Sequence, residues 1–209
     1  MKKIVFATSN KGKLREASEI LGSNFELITP ADLGILEEIP ETGDTLMENS
    51  IQKAEYLWDR YKCNCFADDT GLEIDMLGGA PGVYTARYAG IGKSFEDNMN
   101  KVLEEMNKTE IEASMAAGMG LDMKPLKRTA RFKSVITLII DGEQKYFEGC
   151  LEGQISRTKS GNFGFGYDPI FIADEYPNLS LADISEAQKN EISHRGKAIR
   201  AMAEYLETL

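Results

Sequence analysis

The chain has 209 residues and a formal net charge of −10, from 24 Lys and Arg against 34 Asp and Glu. This length fits one large domain or two joined lobes, and 42% apolar residues can build a sizeable core. The excess of acid excludes a broad binding surface for DNA or RNA, because such surfaces carry clustered positive charge. A small anionic ligand in a local basic pocket stays compatible with this composition.

No apolar run approaches the roughly 18 residues of a membrane helix, and the apolar run at residues 4–7 is too short for a signal-peptide core. A closed zinc site needs four ligands. Cys63 and Cys65 could supply two, but only Cys150 and His194 remain to complete the set, so we expect reduced thiols. We therefore expect a cytoplasmic protein without a membrane segment.

The chain opens as strand, polar turn and helix, the usual beginning of an α/β fold. Residues 2–7 predict a buried strand, and the helix that follows is expected to end just before Gly22. Residues 8–13 form the turn, where free backbone N–H groups and the charge of Lys13 suit a phosphate. A solvated, capped turn is the alternative. The segment is not a Walker A loop, because Leu14 stands where Ser or Thr would follow the lysine.

A capping box beginning at Thr45 predicts a second helix. Asn49 and Lys53, four residues apart, are expected to lie together off its buried face. A strand over residues 62–67 is expected to end at Asp68 and Asp69. Both carboxylates would then lie at the C-terminal end of the strand, where α/β folds place their chemistry. Since adjacent strand residues point to opposite faces, we expect one Asp to face the site and the other to support the loop that follows the strand. The predicted buried face of the helix consists of Met47, Ile51, Ala54, Trp58 and Tyr61.

Asp68 and Asp69, with Glu41 from the preceding acidic loop, are hard oxygen ligands of the kind that Mg²⁺ takes beside phosphate oxygens and water. An aspartyl nucleophile of the haloacid dehalogenase type is an alternative, but Gly71 stands where its second Asp would follow. A simple Asp-rich turn is the structural alternative.

The second half of the chain continues the alternation of helix and strand. A helix is expected from Ser94, followed by a variable connection over residues 109–125 in which glycines break the pattern. Strands 132–140 and 146–155 form a predicted hairpin, and Ser193 is a candidate cap for the last helix. Without repeats or linkers, residues 1–209 are expected to form a single mixed α/β domain. The inward residues of the helix from Ser94 are predicted to be Phe95, Met99, Val102, Leu103 and Met106.

Two late segments favour ligand binding. Residues 161–169 alternate glycine and aromatic residues, which allows close backbone approach to a flat ligand and provides rings for stacking on a base; a β-bulge region is the alternative. A cap at Ser193 places His194 and Arg195 in the first helical turn, against the helix dipole. That placement makes sense if an anion or acceptor binds nearby; an exposed basic turn is the alternative. No nucleophile-elbow pattern supports a serine triad with His194.

These segments closely resemble the inosine triphosphate pyrophosphatase family, the pyrophosphatases of noncanonical purine nucleoside triphosphates. The sequence departs from the family at residues 109–125, which look longer than usual, and at Pro40, where many members have another acidic residue. The matching motifs are residues 8–13, 41–43 with 48–49, 67–72, 77–84, 128–132, 164–169 and 193–197.

The resemblance implies an elongated mixed sheet with helices, in two lobes around a central nucleotide cleft, and a homodimer that depends on Mg²⁺. The implied reaction converts ITP, dITP or XTP and water to the monophosphate and pyrophosphate. The family assigns proton acceptance to Asp69, which would also hold the metal with Glu41. Lys13 and Lys53 would add positive charge as the transition state forms. No nucleic-acid or membrane partner is implied.

The resemblance also implies the substrate contacts. Phe165 would stack near the base while neighbouring polar groups read its edge. Arg195 offers only donors, so a 6-oxo purine satisfies it and the 6-amino group of adenine does not, which is a strong ground for rejection. The implied substrate-binding residues are Thr8, Ser9, Asn10, Lys11, Gly12, Lys13, Thr70, Phe165, Gly166, Tyr167, Asp168, Lys189, His194 and Arg195.

Two other functions stay open at this point. A Maf-like pyrophosphatase of related fold would act on pyrimidine or modified nucleotides. A nucleotide sensor without catalytic activity would keep the pocket, although Glu41, Lys53 and Asp69 are all intact.

Overall fold

The structure is a computed structural model that describes residues 2–22, 25–37, 39–121, 126–162 and 164–209. Within these ranges no helix is long and apolar enough to cross a membrane. In chain order the elements are β1 (Lys2–Phe6), α1 (Lys11–Leu21), β2 (Phe25–Ile28), α2 (Leu46–Tyr61), β3 (Cys65–Ile74), β4 (Pro81–Gly82), α3 (Phe95–Gly118), β5 (Thr129–Ile140), β6 (Glu143–Ile155), β7 (Phe171–Ala173), α4 (Glu186–Ile192) and α5 (His194–Glu207).

The strands pair in the order β2-β1-β3-β5-β6-β7, with β4 beside β3. β1 runs parallel to β2 and β3, whereas β4 and β7 are antiparallel to their partners, so the predicted mixed α/β class is confirmed. The chain divides into two compact units, and that they form one inseparable domain stays a prediction. The first unit comprises Met1–Thr70, Lys133–Cys150 and Asn190–Leu209, and the second comprises Gly71–Phe132 and Leu151–Lys189.

In the first unit, helices cover both faces of the strands. Along β1, Ile4 and Phe6 pack in one hydrophobic cluster with residues of α1 and α5, whereas Val5 and Ala7 pack in another with residues of α2. β3 repeats this alternation from Phe66 onward. The period of two places the side chains of successive β3 residues alternately on the α1–α5 face and on the α2 face.

In the second unit, α3 packs through Met99, Val102 and Met106, which are buried as predicted. Phe95, predicted to face inward, is instead half exposed at the first position of the helix. The rings of Phe132 and Phe171 pack 4.7 Å apart between centroids. This unit therefore has an apolar core of its own.

α3 does not end where the sequence predicted. Residues 109–118 belong to the helix, not to a variable connection, so that prediction is wrong; residues 122–125 of the expected connection lie outside the described residues. The physical reason is helix propensity, because this stretch holds three Ala, two Glu and one Met and no Gly before Gly118. Glu110 also accepts from the guanidinium groups of Arg128 and Arg157, which ties this part of the helix to its own unit.

The predicted buried face of α2 is confirmed only at Ala54 and is otherwise wrong. The apolar residues Met47, Ile51 and Trp58 are only partly buried, and Tyr61 is exposed. Polar side chains of α2 are buried instead. Their hydrogen-bond partners in the interior offset the cost of burying polar groups. The buried residues of α2 are Leu46, Asn49, Ser50, Lys53, Ala54 and Leu57.

The start of α2 carries the predicted capping box. The Thr45 hydroxyl accepts from the Glu48 amide at 3.1 Å, and the Glu48 carboxylate accepts from the Thr45 amide at 3.0 Å. We expect Thr45→Ala to lower the free energy of unfolding by about 1 kcal/mol, because one helix-end donor loses its partner. Urea unfolding monitored by circular dichroism measures this. Thr109→Ala, in the interior of α3, is the control and should change stability by less than about 0.5 kcal/mol.

Candidate active site

The turn between β1 and α1 is held by its own side chains. Asn10 is the N-cap of α1, and its Oδ1 accepts from the amides of Gly12 at 2.9 Å and Lys13 at 3.2 Å. Thr8 Oγ1 accepts from the Asn10 amide at 3.1 Å. The turn is therefore capped, as in the alternative interpretation, and phosphate binding by it stays a prediction. Of the predicted phosphate-binding residues in this turn, Ser9, Asn10, Lys11 and Gly12 are exposed, and Thr8 and Lys13 are partly buried.

Asp68 lies on the α1–α5 face of β3 and is only 1% exposed. Both of its carboxylate oxygens lie 3.0 Å from Lys13 Nζ, and Arg195 Nε donates to Oδ2 at 3.1 Å. Burial alone would raise the pKa of Asp68, but the charges of Lys13 and Arg195 outweigh it and hold that pKa well below its usual range. Asp68 is therefore an ionised carboxylate that joins α1 to α5.

Arg195 is oriented by two further contacts. Its Nη1 donates to Glu16 Oε2 at 2.7 Å, and its Nη2 donates to Thr70 Oγ1 at 3.3 Å. Glu16 Oε1 accepts from the hydroxyl of Ser193, which also caps α5 by accepting from the Gly196 amide. His194 and Arg195 occupy the first turn of α5, as predicted, and both are buried, so the alternative of an exposed basic turn is wrong.

Asp69 lies on the opposite, α2 face. Its Oδ1 is 3.3 Å from Lys53 Nζ, and its Oδ2 accepts from Asn49 Nδ2 at 3.2 Å. Lys53 Nζ also donates to Glu41 Oε1 and to the backbone oxygen of Asp68, both at 2.6 Å. The structure thus brings the predicted residues Glu41, Lys53 and Asp69 into one cluster.

The Asp pair differs from the prediction in one respect. β3 does not end at Asp68 but continues to Ile74, so the carboxylates lie within the strand. They do lie beyond the end of the parallel neighbour β1, whose last residue Phe6 pairs with Phe66. The two side chains point to opposite faces as expected, but each meets a lysine, so neither is a mere support of a loop.

Acidic groups outnumber basic groups around Lys53 on the α2 face. Burial raises the pKa of Asp69, the charge of Glu41 raises it further, and Lys53 opposes both. For Lys53, burial lowers the pKa, but the charges of Asp69, Asp68 and Glu41 outweigh burial and raise it overall. One ammonium group thus faces several acidic groups, an arrangement that further positive charge would stabilise.

Glu41 and Asp69 fit a magnesium ion by their chemistry. Each places an oxygen on the same ammonium nitrogen, so the two carboxylates converge on a point that already attracts a cation. In the described part of the chain, no group of three or more His, Cys, Asp or Glu forms a closed metal site. Mg²⁺ commonly takes only one or two carboxylates and completes its shell with water and substrate phosphates, so two protein ligands suffice.

In the second unit, the glycine and aromatic segment forms a cluster of its own. Asp168 is buried, and its Oδ2 accepts from the Phe165 amide at 2.8 Å and from Lys189 Nζ. Lys189 Nζ lies 4.6 Å from the ring centroid of Phe165, whose side chain is 48% exposed. Gly164 permits this turn, because a Cβ there would lie 2.2 Å from Asp168 Oδ2.

Tyr167 does not share this exposed position. It is buried and donates its hydroxyl to the Thr85 backbone oxygen at 2.9 Å. Gly166 adopts a φ of 65° between the two aromatic residues, which allows Phe165 and Tyr167 to diverge. Phe163 lies outside the described residues.

The thiols fit the prediction that they are reduced. Burial raises the pKa of the Cys65 thiol to about 12, and its Sγ donates to the Ala54 backbone oxygen at 3.4 Å. Burial also raises the pKa of Cys63. Protonated thiols of this kind are poor metal ligands.

Sequence reasoning assigned no site role to two polar residues of these clusters. Glu16 lies three positions after Lys13 on α1, a spacing that places both on one helix face. Asn49 lies four positions before Lys53 on α2 and shares its face. In both cases the available signal was a polar residue at helical spacing from a predicted site lysine.

Comparison with known proteins decides the family. The model of the Ham1 family matches residues 4–205. The chain belongs to the Ham1 family. It is 45% identical over 204 residues to the "dITP/XTP pyrophosphatase" of Christiangramia forsetii, which covers 98% of both chains. It is 42% identical over 209 residues to the protein of the same name from Bacillus subtilis, covering 99% of this chain and 98% of that one.

A solved Ham1 protein shares the fold. The HAM1 structure from Coxiella burnetii superposes with a TM-score of 0.87 at 33% identity and covers all of both chains. The resemblance seen in the sequence motifs is therefore confirmed over the whole Ham1 fold. It includes the segments that carry Lys13, Glu41, Lys53, Asp69 and Arg195.

Proposed function

We propose that the chain is a nucleoside triphosphate pyrophosphohydrolase that converts ITP, dITP or XTP and water to the nucleoside monophosphate and pyrophosphate, and so cleanses the nucleotide pool. The observation that carries this proposal is that the carboxylates of Glu41 and Asp69 converge on one cationic group, the ammonium of the buried Lys53. The names of the curated relatives, dITP/XTP pyrophosphatase, support the same activity.

In this proposal Glu41 and Asp69 would hold a magnesium ion, which when bound supplies neutralisation of the phosphate oxygens. Asp69 also acts as the general base that orients and deprotonates the attacking water. Lys13 and Lys53 stabilise negative charge as the anhydride bond between the α- and β-phosphates breaks. The turn at residues 8–12 and the hydroxyl of Thr70 contact the phosphates.

In this proposal five side chains recognise the base. Phe165 offers an exposed ring for stacking, and Asp168 and Lys189 lie beside that ring. His194 and Arg195 read the purine edge. Arg195 has only hydrogen-bond donors, so it can donate to the 6-oxo group of a purine. The 6-amino group of adenine would leave a donor of Arg195 unpaired, and adenine is therefore rejected.

A substrate panel tests this proposal. With Mg²⁺, we expect kcat/KM for ITP, dITP and XTP to exceed that for ATP by about 10²-fold or more, with pyrophosphate as the product. Pyrophosphate and single phosphate are quantified separately for each nucleotide. Release of single phosphate, or equal rates on ITP, XTP, ATP and GTP, would contradict the proposal. Preference for dTTP or UTP would indicate a Maf-like enzyme, and tight ITP binding without turnover a sensor.

The remaining expectations belong with this proposal. The homodimer and the cytoplasmic location implied by the family resemblance stay predictions. The Mg²⁺ requirement is tested in the same panel, by adding EDTA and then restoring Mg²⁺.

A further inference from the structure

Asn49 contacts two separate parts of the α2-face cluster. Its side chain is 1% exposed and lies one turn into α2, just after the capping box. Its Oδ1 accepts from the Gly43 amide at 2.8 Å, and its Nδ2 donates to Asp69 Oδ2 at 3.2 Å. One carboxamide therefore joins the loop that carries Glu41 to the carboxylate on β3.

The two hydrogen bonds of Asn49 act on different parts of the cluster, the carboxylate of Asp69 and the loop at Gly43. Lys53, four residues further along α2, contacts Asp69 Oδ1, so Asn49 and Lys53 together engage both oxygens of Asp69 and fix the plane of its carboxylate. On the other side, Gly43 is packed so closely that a Cβ would lie 2.6 Å from Glu48 Cβ and 3.0 Å from Asn49 Oδ1. The loop two residues after Glu41 is thus held tightly against α2.

The second unit contains a matched arrangement without a carboxylate. Asn98 occupies the same position in α3, also after a capping box and also 1% exposed. Its Oδ1 accepts from the amide of Ala89 at 2.7 Å, which ties a loop to the helix start, but its Nδ2 donates to the Ala86 backbone oxygen at 3.1 Å. Loop attachment alone therefore needs only a backbone acceptor. At Asn49 the second bond goes instead to the carboxylate proposed as the base.

We propose that Asn49 is a positioning residue for the hydrolytic reaction, an inference that rests on the proposed function. It holds the carboxylate of Asp69 in one orientation and keeps the Glu41 loop beside it, so that both acidic groups face the same point. Without the Nδ2 donor, the carboxylate is free to turn away from that point. Losing a hydrogen-bond partner that orients a ligand or base typically lowers activity by about 10- to 100-fold.

Two substitutions separate the roles of the carboxamide. Asn49→Asp keeps the size of the side chain and the acceptor for the Gly43 amide, but it replaces the donor with an oxygen that faces Asp69. Asn49→Leu removes both hydrogen bonds at similar volume. We expect kcat for ITP to fall by about 10- to 100-fold in both variants, with KM changed less than about threefold. Hydrogen exchange of the Gly43 amide should stay slow in the Asp variant and become fast in the Leu variant.

Asn98→Asp is the matched control, because it makes the same change in an equally buried carboxamide outside the cluster. Its kcat is expected to stay within about twofold of the parent below the unfolding transition. Either a kcat within about twofold of the parent for Asn49→Leu, or an equal loss of kcat in Asn98→Asp, would overturn the inference. If the parent itself releases no pyrophosphate from any purine nucleotide, the proposed function fails instead, which the parent assay shows separately.

Discussion

Asp69→Asn is expected to lower kcat for ITP by about 10²- to 10⁴-fold, the usual contribution of a general base. The amide keeps the size of the side chain but has no basic oxygen to take a proton from water. Nucleotide binding should remain measurable, because the residues proposed to contact the phosphates and the base are unchanged. Pyrophosphate release under single-turnover conditions measures the chemical step, and calorimetric titration with ITP measures binding.

Asp59→Asn is the control for this experiment. Asp59 lies near the end of α2 with a side chain that is 74% exposed and pairs with Lys62 across one helical turn. Its replacement should leave kcat within about twofold of the parent. Retained activity in Asp69→Asn would remove Asp69 as the base, whereas loss of ITP binding in parallel with activity would assign Asp69 to substrate binding.

Much of the fold could be predicted because local rules decide it. The start and end of α1 follow from Asn10 and Gly22, and the hairpin follows from Asp141 and Gly142, both with positive φ. These features depend on neighbours in sequence. The length of α3 was missed because two late glycines were given more weight than the helix formers before them.

The face of α2 could not be predicted from hydrophobic spacing, and the reason lies in the site. Asn49 and Lys53 are buried because Asp69 and Glu41, distant in sequence, provide their partners. A periodic pattern of apolar residues contains no information about such partners. Asn49 and Lys53, which depart from the apolar pattern of α2, are therefore residues of the candidate site. Such departures are expected where function competes with packing.

The site itself could be predicted in residue types but not in pairing. The motifs indicated that Lys13, Glu41, Lys53 and Asp69 belong together. Alternation along a strand indicated opposite faces for Asp68 and Asp69. The sequence did not reveal that Asp68 is matched with Lys13 and Arg195, while Asp69 is matched with Lys53. This division separates a tightly paired carboxylate from one whose neighbours include further acid.

Asp68→Asn is expected to lower the free energy of unfolding by about 3–5 kcal/mol, because it leaves the buried Arg195 and the partly buried Lys13 without their carboxylate. Both cations contact Asp68 at its buried position, and Glu16 forms a second ion pair with Arg195. Urea unfolding of parent and variant at neutral pH measures the difference. The control is Glu26→Gln, which breaks an exposed pair with Lys3 at 3.5 Å and should change stability by less than about 1 kcal/mol.

The pH dependence of this difference identifies its cause. Because the pKa of Asp68 is held below its ordinary value in the folded state, the unfolded chain binds more protons at acidic pH, and this contribution to stability is lost as the pH falls. The stability of parent and variant should therefore converge as the pH falls below about 4, the ordinary pKa of Asp. A difference that stays constant from neutral to acidic pH would show that lost packing, not the charge of Asp68, destabilises the variant.

A double variant tests the same cause. Adding Lys13→Met to Asp68→Asn should restore part of the lost stability, since one of the two cations that lost their carboxylate is then absent.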